Sequence, residues 1–169
     1  MNTIIINLYG GPGVGKSTIA AGLYYRMKQL GISCELVSEF AKEAIYDGNK
    51  KIFNDQYYIF GTQHYRMLRL MGEVKYIICD SPLLLCPIYN KIKDNIFEEL
   101  VYNEDIKFPQ INYFISRTNK YDIAGRNETE EQAYLIDIKI QKLLVDKNIY
   151  YTHICIDNAV ENILNSLKN

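Results

Sequence analysis

The sequence predicts an α/β fold, a parallel sheet of five strands enclosed by helices, and three observations carry that prediction. Short apolar runs of strand character alternate along the 169 residues with longer stretches of helical periodicity. The first run, residues 3–8 (TIIINL), is continuous and β-branched, as a strand buried on both faces requires. It passes directly into a glycine-rich turn and an amphipathic helix, the kind of connection from which parallel sheets grow. No repeat, low-complexity tract or linker interrupts the pattern, so residues 1–169 are expected to form one domain around one core.

Each element has its own signal. The first helix, 17–30, repeats Ile19, Leu23, Met27 and Leu30 at helical spacing, and Gly31 follows where a C-terminal cap belongs. A short strand spans 33–37. A short helix over 40–46 stops at Asp47-Gly48, and Asn54 is placed to cap a longer helix over 55–71 that ends at Gly72. The third strand is 75–79 (KYIIC), after which Asp80-Ser81-Pro82 must turn, because the residue before a proline avoids the helical region. A helix over 93–102 and a strand over 112–115 follow. Residues 116–126 are polar and aperiodic between a strand and a helix, the pattern of a surface flap. Asn127 and Glu130 suit a capping box for a helix reaching about Lys147, and a strand over 150–156 and a helix over 160–167 close the chain.

Composition narrows the functional classes. The chain is 48% hydrophobic, and its 19 Lys+Arg against 20 Asp+Glu leave a formal charge of -1. That balance gives no global attraction to nucleic acid or acidic membrane, although a local basic groove stays open. Cys34, Cys79, Cys86 and Cys155 are widely spaced, without a CxxC pair or a neighbouring His cluster, which argues against metal and disulfide frameworks. Cys34, Cys79 and Cys155 each fall in an apolar run, where a free thiol behaves as a small buried hydrophobe. The start of the chain has no basic stretch followed by a long apolar one, and no apolar run approaches membrane-spanning length, so a cytoplasmic location is expected. Richness in Ile, Asn, Lys and Tyr points to an AT-rich genome such as that of a phage or low-GC bacterium.

The chemistry centres on Gly10-Gly11-Pro12-Gly13-Val14-Gly15-Lys16-Ser17-Thr18, which satisfies G-x-x-x-x-G-K-[ST] between a buried strand and an amphipathic helix. Glycines let the backbone turn tightly, so that successive N–H groups and the positive end of the helix point at one anion. Gly11, Gly13, Val14, Gly15, Lys16, Ser17 and Thr18 are therefore the candidate residues for binding a nucleoside triphosphate. Lys16 would neutralise the outer phosphates, and Ser17 would place its hydroxyl on Mg²⁺. The fold expected is thus the P-loop NTPase three-layer α/β/α sandwich with a lid segment at about 116–127.

Beyond GGPGVGKST, the patches SEF, DQYYIFGTQHYRMLRL, YIICDSP and ISRTNKYDIAGRNETEEQ together resemble the small P-loop kinases of nucleosides and nucleotides, especially the ribosylnicotinamide-kinase-like and deoxynucleoside-kinase-like groups. The resemblance implies ATP·Mg²⁺ as donor, a small nucleoside or nucleotide as acceptor, and Glu39 as the base that takes the acceptor's proton. Read from the residues alone, Glu39 is equally a helix-start acid favoured by the dipole. Asp80, ending an apolar strand, has the position of a Mg²⁺-holding acid, with a turn-forming Asp as the alternative. Which of Glu39 and Asp80 is the base stays open. Arg117 and Arg126 bracket the polar flap and suit stabilisation of a transferring phosphoryl group, the alternative being ordinary surface arginines. The resemblance also implies Gln63 as reader of the acceptor base, with Gln56 as a second candidate. Tyr57, Tyr58 and Tyr65 could stack on a ring or simply pack. Glu43, His64 and His153 read as structural or surface residues.

Three competing readings remain. Asn119-Lys120-Tyr121-Asp122 matches the N-K-x-D guanine signature of GTPases, so the sequence alone does not force ATP over GTP. The glycine of D-x-x-G is missing from Asp80-Ser81-Pro82-Leu83. A polynucleotide or modified-DNA kinase would use the same core, with Lys50, Lys51, Lys91 and Lys93 available for phosphate contacts, though nucleic acid is the less favoured partner. A P-loop NTPase with a regulatory binding role is the third class, although the chain is short for a ring-forming ATPase module. A homodimer stays open.

Overall fold

A computed structural model describes residues 2–46, 48, 50–117 and 129–168. The five strands are β1 (Ile4–Tyr9), β2 (Cys34–Val37), β3 (Tyr76–Cys79), β4 (Gln110–Ser116) and β5 (Thr152–Cys155). All neighbours pair in parallel, in the order β2-β3-β1-β4-β5. The central strand is thus flanked by β3 from Ile4 opposite Tyr76 to Asn7 opposite Cys79, and by β4 from Ile5 opposite Gln110 to Tyr9 opposite Phe114. An open parallel sheet of this kind offers its ligand crevice beyond the carboxyl ends of the strands.

Strand alternation divides the core into two layers. Ile6, Leu8, Ile78 and Ile115 pack with Ile19, Leu23 and Met27 of α1 (Lys16–Gln29) and Ile163 and Leu164 of α7 (Ala159–Ser166). Ile5, Tyr9, Ile77 and Phe114 point the other way. They meet Ile59 and Met67 of α3 (Gln56–Leu68), Phe97 and Val101 of α5 (Asn95–Asp105), and Ile140 and Leu144 of α6 (Glu130–Asp146). With α2 (Phe40–Tyr46) and α4 (Leu85–Tyr89) the result is the expected three-layer sandwich on a five-stranded parallel sheet. No helix among the described residues is long and apolar enough to cross a membrane.

The departures from the sequence reading have local causes. The N-cap of α3 is Asp55, whose carboxylate accepts the Tyr58 N–H at 3.0 Å, while Asn54 ends a 3₁₀ turn over Lys50–Asn54. The capping box of α6 is Thr129 with Gln132, and Asn127 lies outside the described residues. Helix α4 has too few residues to show periodicity, and its Pro87 sits in the first turn, where a missing N–H leaves no helical bond unmade. Cys34 and Cys79 are buried as expected and Cys86 is buried as well, but Cys155, expected to be buried, is exposed at the end of an edge strand. Burial pushes the Cys79 and Cys86 thiols up to about 12, so neither is a reactive thiolate near neutrality.

A buried polar seam crosses the sheet below its carboxyl end. Asn7 Nδ2 donates to Gln110 Oε1 at 2.6 Å and to Asn112 Oδ1 at 3.0 Å, and Gln110 Nε2 donates to Asp105 Oδ2 at 3.0 Å. Burial pushes the Asp105 carboxyl up to about 6, against the lowering effect of the Gln110 hydrogen bond. The protonated form is therefore favoured in the folded state, and the stability it confers is present at low pH and lost as pH rises through about 4–6. Asp105→Asn keeps an acceptor for Gln110 and removes the charge. Urea denaturation should find it more stable than wild type by roughly 1–3 kcal/mol at pH 8 and nearly equal at pH 4.

Candidate functional site

The loop after β1 is shaped so that α1 begins without a side-chain cap. Gly15 is its N-cap, in the left-handed region at φ 96°, and the first turn contains no acid. The first N–H groups of α1 are left for a ligand, at the positive end of the helix. A Cβ on Gly15 would meet Ile156 Cδ1 at 2.3 Å, so both conformation and space exclude a side chain there. Gly11 is confined from another direction, because a Cβ would meet Ala133 O and Asp137 Oδ1, each at 2.8 Å. Val14 is buried, while Ser17 and Thr18 stand exposed at the start of α1.

Lys16 folds across this loop, donating from Nζ to Gly10 O at 2.7 Å and Gly11 O at 3.0 Å. Burial lowers its pKa, opposed by the carboxylates of Glu39, Asp80 and Asp137, while the nearby Arg117 adds to the lowering. These five side chains come from the start of α1, the β2–α2 junction, the end of β3, the end of β4 and the inner face of α6. Asp80 is 4% exposed, and its Oδ1 has no hydrogen-bond partner among the described residues. A buried carboxylate oxygen left open, on a side chain close enough to Lys16 to act on its charge, suits a divalent cation held by one protein carboxylate, a hydroxyl, water and phosphate oxygens.

Helix α3 grips the Glu39 segment from behind. Gln63 Oε1 accepts the Phe40 N–H at 3.3 Å, and Arg66 binds both oxygens of Glu43, at 2.9 and 2.6 Å, with its guanidinium 5.0 Å from the centre of the Phe40 ring. The Arg66 hydrogen bond holds Glu43 below the usual carboxylate pKa. Gln63 is 1% exposed, its amide nitrogen lying 3.8 Å from Cys79 Sγ, so both ends of the amide are engaged inside the protein. Gln56 is likewise buried, donating to Phe53 O at 3.3 Å. Tyr57 is exposed, its hydroxyl bonded to Asp94 and its ring 4.4 Å from Phe97. The contacts that gather Lys16, Glu39, Asp80 and Arg117 thus include neither Gln63 nor Tyr57. A cleft of about 400 Å³ opens beside this grip, lined by Ser38, Glu43, Tyr65, Arg66 and Arg69 among others, with no residue of the glycine loop in its walls.

Arg117 is anchored. Its Nε donates to Asp137 Oδ2 at 2.9 Å and its Nη2 to Pro12 O at 2.9 Å, while Asp137 Oδ1 accepts the Gly11 N–H at 2.5 Å. Gly11, read from sequence as a phosphate ligand, has its amide committed to this carboxylate. Arg126, Asn119-Lys120-Tyr121-Asp122 and most of the 116–127 lid lie outside the described residues. Asp137 is the site residue that sequence reasoning missed. Its signal was an acid on the stripe of α6 that otherwise buries Ala133, Ile140 and Leu144.

The loop geometry gives a direct test. Gly15→Ala should weaken ATP·Mg²⁺ binding by at least about tenfold in calorimetry, because the left-handed backbone and the Ile156 contact both resist the methyl. Adding Ile156→Ala should recover only part of the loss, since the φ strain stays.

Known structures share this architecture. A structure of thymidylate kinase from Ehrlichia chaffeensis superposes with a TM-score of 0.67 over 99% of this chain and 100% of that one, at 12% identity. A deoxyadenosine kinase from M. mycoides, solved with its products dCMP and dCDP, gives 0.59 over 97% and 98%, at 18% identity. The NadR protein, solved in complex with NR, gives 0.67 over 92% of this chain but only 46% of its own, at 15% identity. Identities this low establish a shared fold. No curated protein matches the sequence closely enough to count as a relative. A family model described as an AAA domain matches residues 5–161, spanning the glycine loop, Glu39, Asp80, Arg117 and Asp137, and the chain therefore belongs to that family of P-loop domains.

Proposed function

We propose that this protein is an ATP-dependent kinase that transfers the γ-phosphate to a nucleoside or (deoxy)nucleotide. The observation that supports it best is the convergence of Lys16, Arg117, Asp80 and Glu39 on one uncapped helix start, at the carboxyl edge of a sheet shared with kinases of such substrates. The loop amides and Lys16 bind the phosphates of ATP. Ser17 and Asp80 would hold Mg²⁺, whose chemistry there is neutralisation of the phosphate oxygens.

Phosphoryl transfer makes few covalent demands on the protein, so most of the work is placement and charge. The acceptor oxygen forms a bond to the γ-phosphorus as the bond to the ADP oxygen breaks, and the acceptor's proton passes to a carboxylate. Glu39 has the place for that base, on a segment fixed by Gln63 and Arg66, whereas the open oxygen of Asp80 suits the cation. Arg117, with Arg126 from the lid, balances the charge spreading over the transferred group. Acceptor recognition by Gln63 or Tyr57 would require their present hydrogen bonds to be exchanged for substrate.

The proposal is tested by measuring ADP release with ATP and Mg²⁺ across nucleosides, deoxynucleotides, nicotinamide riboside, and single- and double-stranded DNA. Stimulation by a small acceptor is expected. Stimulation by DNA alone would identify a polynucleotide kinase, and slow release indifferent to every acceptor, with GTP serving equally, would replace the proposal by a regulatory NTPase or GTPase. Lys16→Ala should fold normally and lose at least about 10²-fold in turnover. Glu39→Gln should lower kcat by about 10²–10⁴-fold with ATP affinity little changed, and acceptor kinetics like wild type would reduce Glu39 to a helix-start acid.

A further inference from the structure

We infer that Asp137 is a positioning residue: it holds Arg117 against the phosphate loop and serves as counter-ion to two neighbouring cations until nucleotide phosphates arrive. The inference rests on the reading of the glycine loop as a nucleotide-phosphate site, and does not depend on which acceptor is used.

Packing gives no reason for a carboxylate at this point of α6, whose inner stripe is otherwise Ala133, Ile140 and Leu144. Burying a charge is unfavourable unless it is paired and its lone pairs are satisfied. Here both oxygens are used, and for different partners. Oδ1 accepts the Gly11 N–H at 2.5 Å, fixing the leading arm of the loop. Oδ2 takes Arg117 Nε at 2.9 Å and lies 2.8 Å from Nη2, and that same Nη2 also reaches Pro12 O at 2.9 Å. The side chains of Arg117 and Asp137 are only 14% and 10% exposed. The guanidinium is therefore fixed by its planar fork, which a lysine could not reproduce.

The second part of the argument is electrostatic. Arg117 stands close enough to Lys16 to add to the lowering that burial causes, while Glu39, Asp80 and Asp137 act in the opposite direction, and Asp137 is also bonded directly to Arg117. Two cations side by side in a poorly hydrated site require an anion between or beside them. A bound triphosphate supplies one, and Asp137 supplies it beforehand. Catalysis then begins with Arg117 already at the cradle, with no long side chain to be gathered from water at the moment charge develops. The direct approach of Ala133 O and Asp137 to Gly11 shows that α6 and the loop are in contact with no intervening side chain, so the placement is stiff.

Asp137→Asn separates the two contacts, since the amide oxygen can still accept from Gly11 while the counter-charge to Arg117 is gone. Calorimetry with ATP·Mg²⁺ should give a Kd within about threefold of wild type, whereas turnover should fall about 10–100-fold. Arg117→Ala should show a loss of similar size, and the double variant no further loss, because the residues act as one unit. Wild-type turnover in Asp137→Asn, or losses that multiply in the double variant, would overturn the inference. Should Asp137→Asn fail to fold, Arg117→Lys is read instead: it keeps the charge without the fork, is expected to lose turnover, and would also overturn the inference if fully active. If no acceptor is found, the kinase proposal fails separately and the same cycle is read on ATP hydrolysis. A wild-type protein that does not bind ATP·Mg²⁺ would end both.

Discussion

One backbone requirement governs the carboxyl end of the sheet: the first turn of α1 must keep its N–H groups unpaired and directed into the loop. A side-chain cap or an acid in that turn would compete for the same donors, and the chain has neither. The rest of the architecture supports this opening. The central strand is held on both sides before it reaches the loop, Val14 anchors the loop in the core, and Ile156, from the 3₁₀ turn after β5, closes behind Gly15. Strand order matters to the chemistry because it brings the ends of β3 and β4 to either side of this one opening, carrying Asp80 and Arg117.

The charges collected there show why each needs a structural tether. Lys16, Arg117, Glu39, Asp80 and Asp137 share a small, partly desolvated volume, where attraction and repulsion are both stronger than in water. Such a group keeps its arrangement only if its backbone segments are rigid. Strand ends fix Asp80 and Arg117, the grip of α3 on residues 38, 40 and 43 fixes the segment bearing Glu39, and α6 fixes Asp137.

The fold and the glycine loop with its uncapped helix start were legible in the sequence because both are written in local pattern. TIIINL is short, β-branched and soon followed by glycines, which favours a buried strand, and G-x-x-x-x-G-K-S stands in the strand–loop–helix context its mechanics require. Long-range pairing is less visible. Asp137 lies 126 residues from the Gly11 amide it binds, and the sequence offered only an acid on an apolar stripe as a clue. Gln63 and Tyr57 show the converse difficulty, since a polar side chain placed on a helix near the site gives no hint that another part of the chain already engages it. The helix caps were misplaced by a residue or two for a simpler reason: Asn54 and Asp55 are both good capping residues, and neighbouring structure decides between them.

The polar seam under the sheet acts as a ruler as well as a filling. Asn7 opposes Asn112 in register and bonds to it and to Gln110 together, a pairing of buried amides that any other offset of β1 and β4 would disrupt. A slip of two residues would preserve the inward and outward alternation of every side chain, and hydrophobic pattern alone would not forbid it. It would, however, carry the end of β4 about 6–7 Å along the strand axis, more than twice the length of the hydrogen bond joining Arg117 to Pro12. Two asparagines near the middle of the sheet thus set the height at which an arginine meets the phosphate loop.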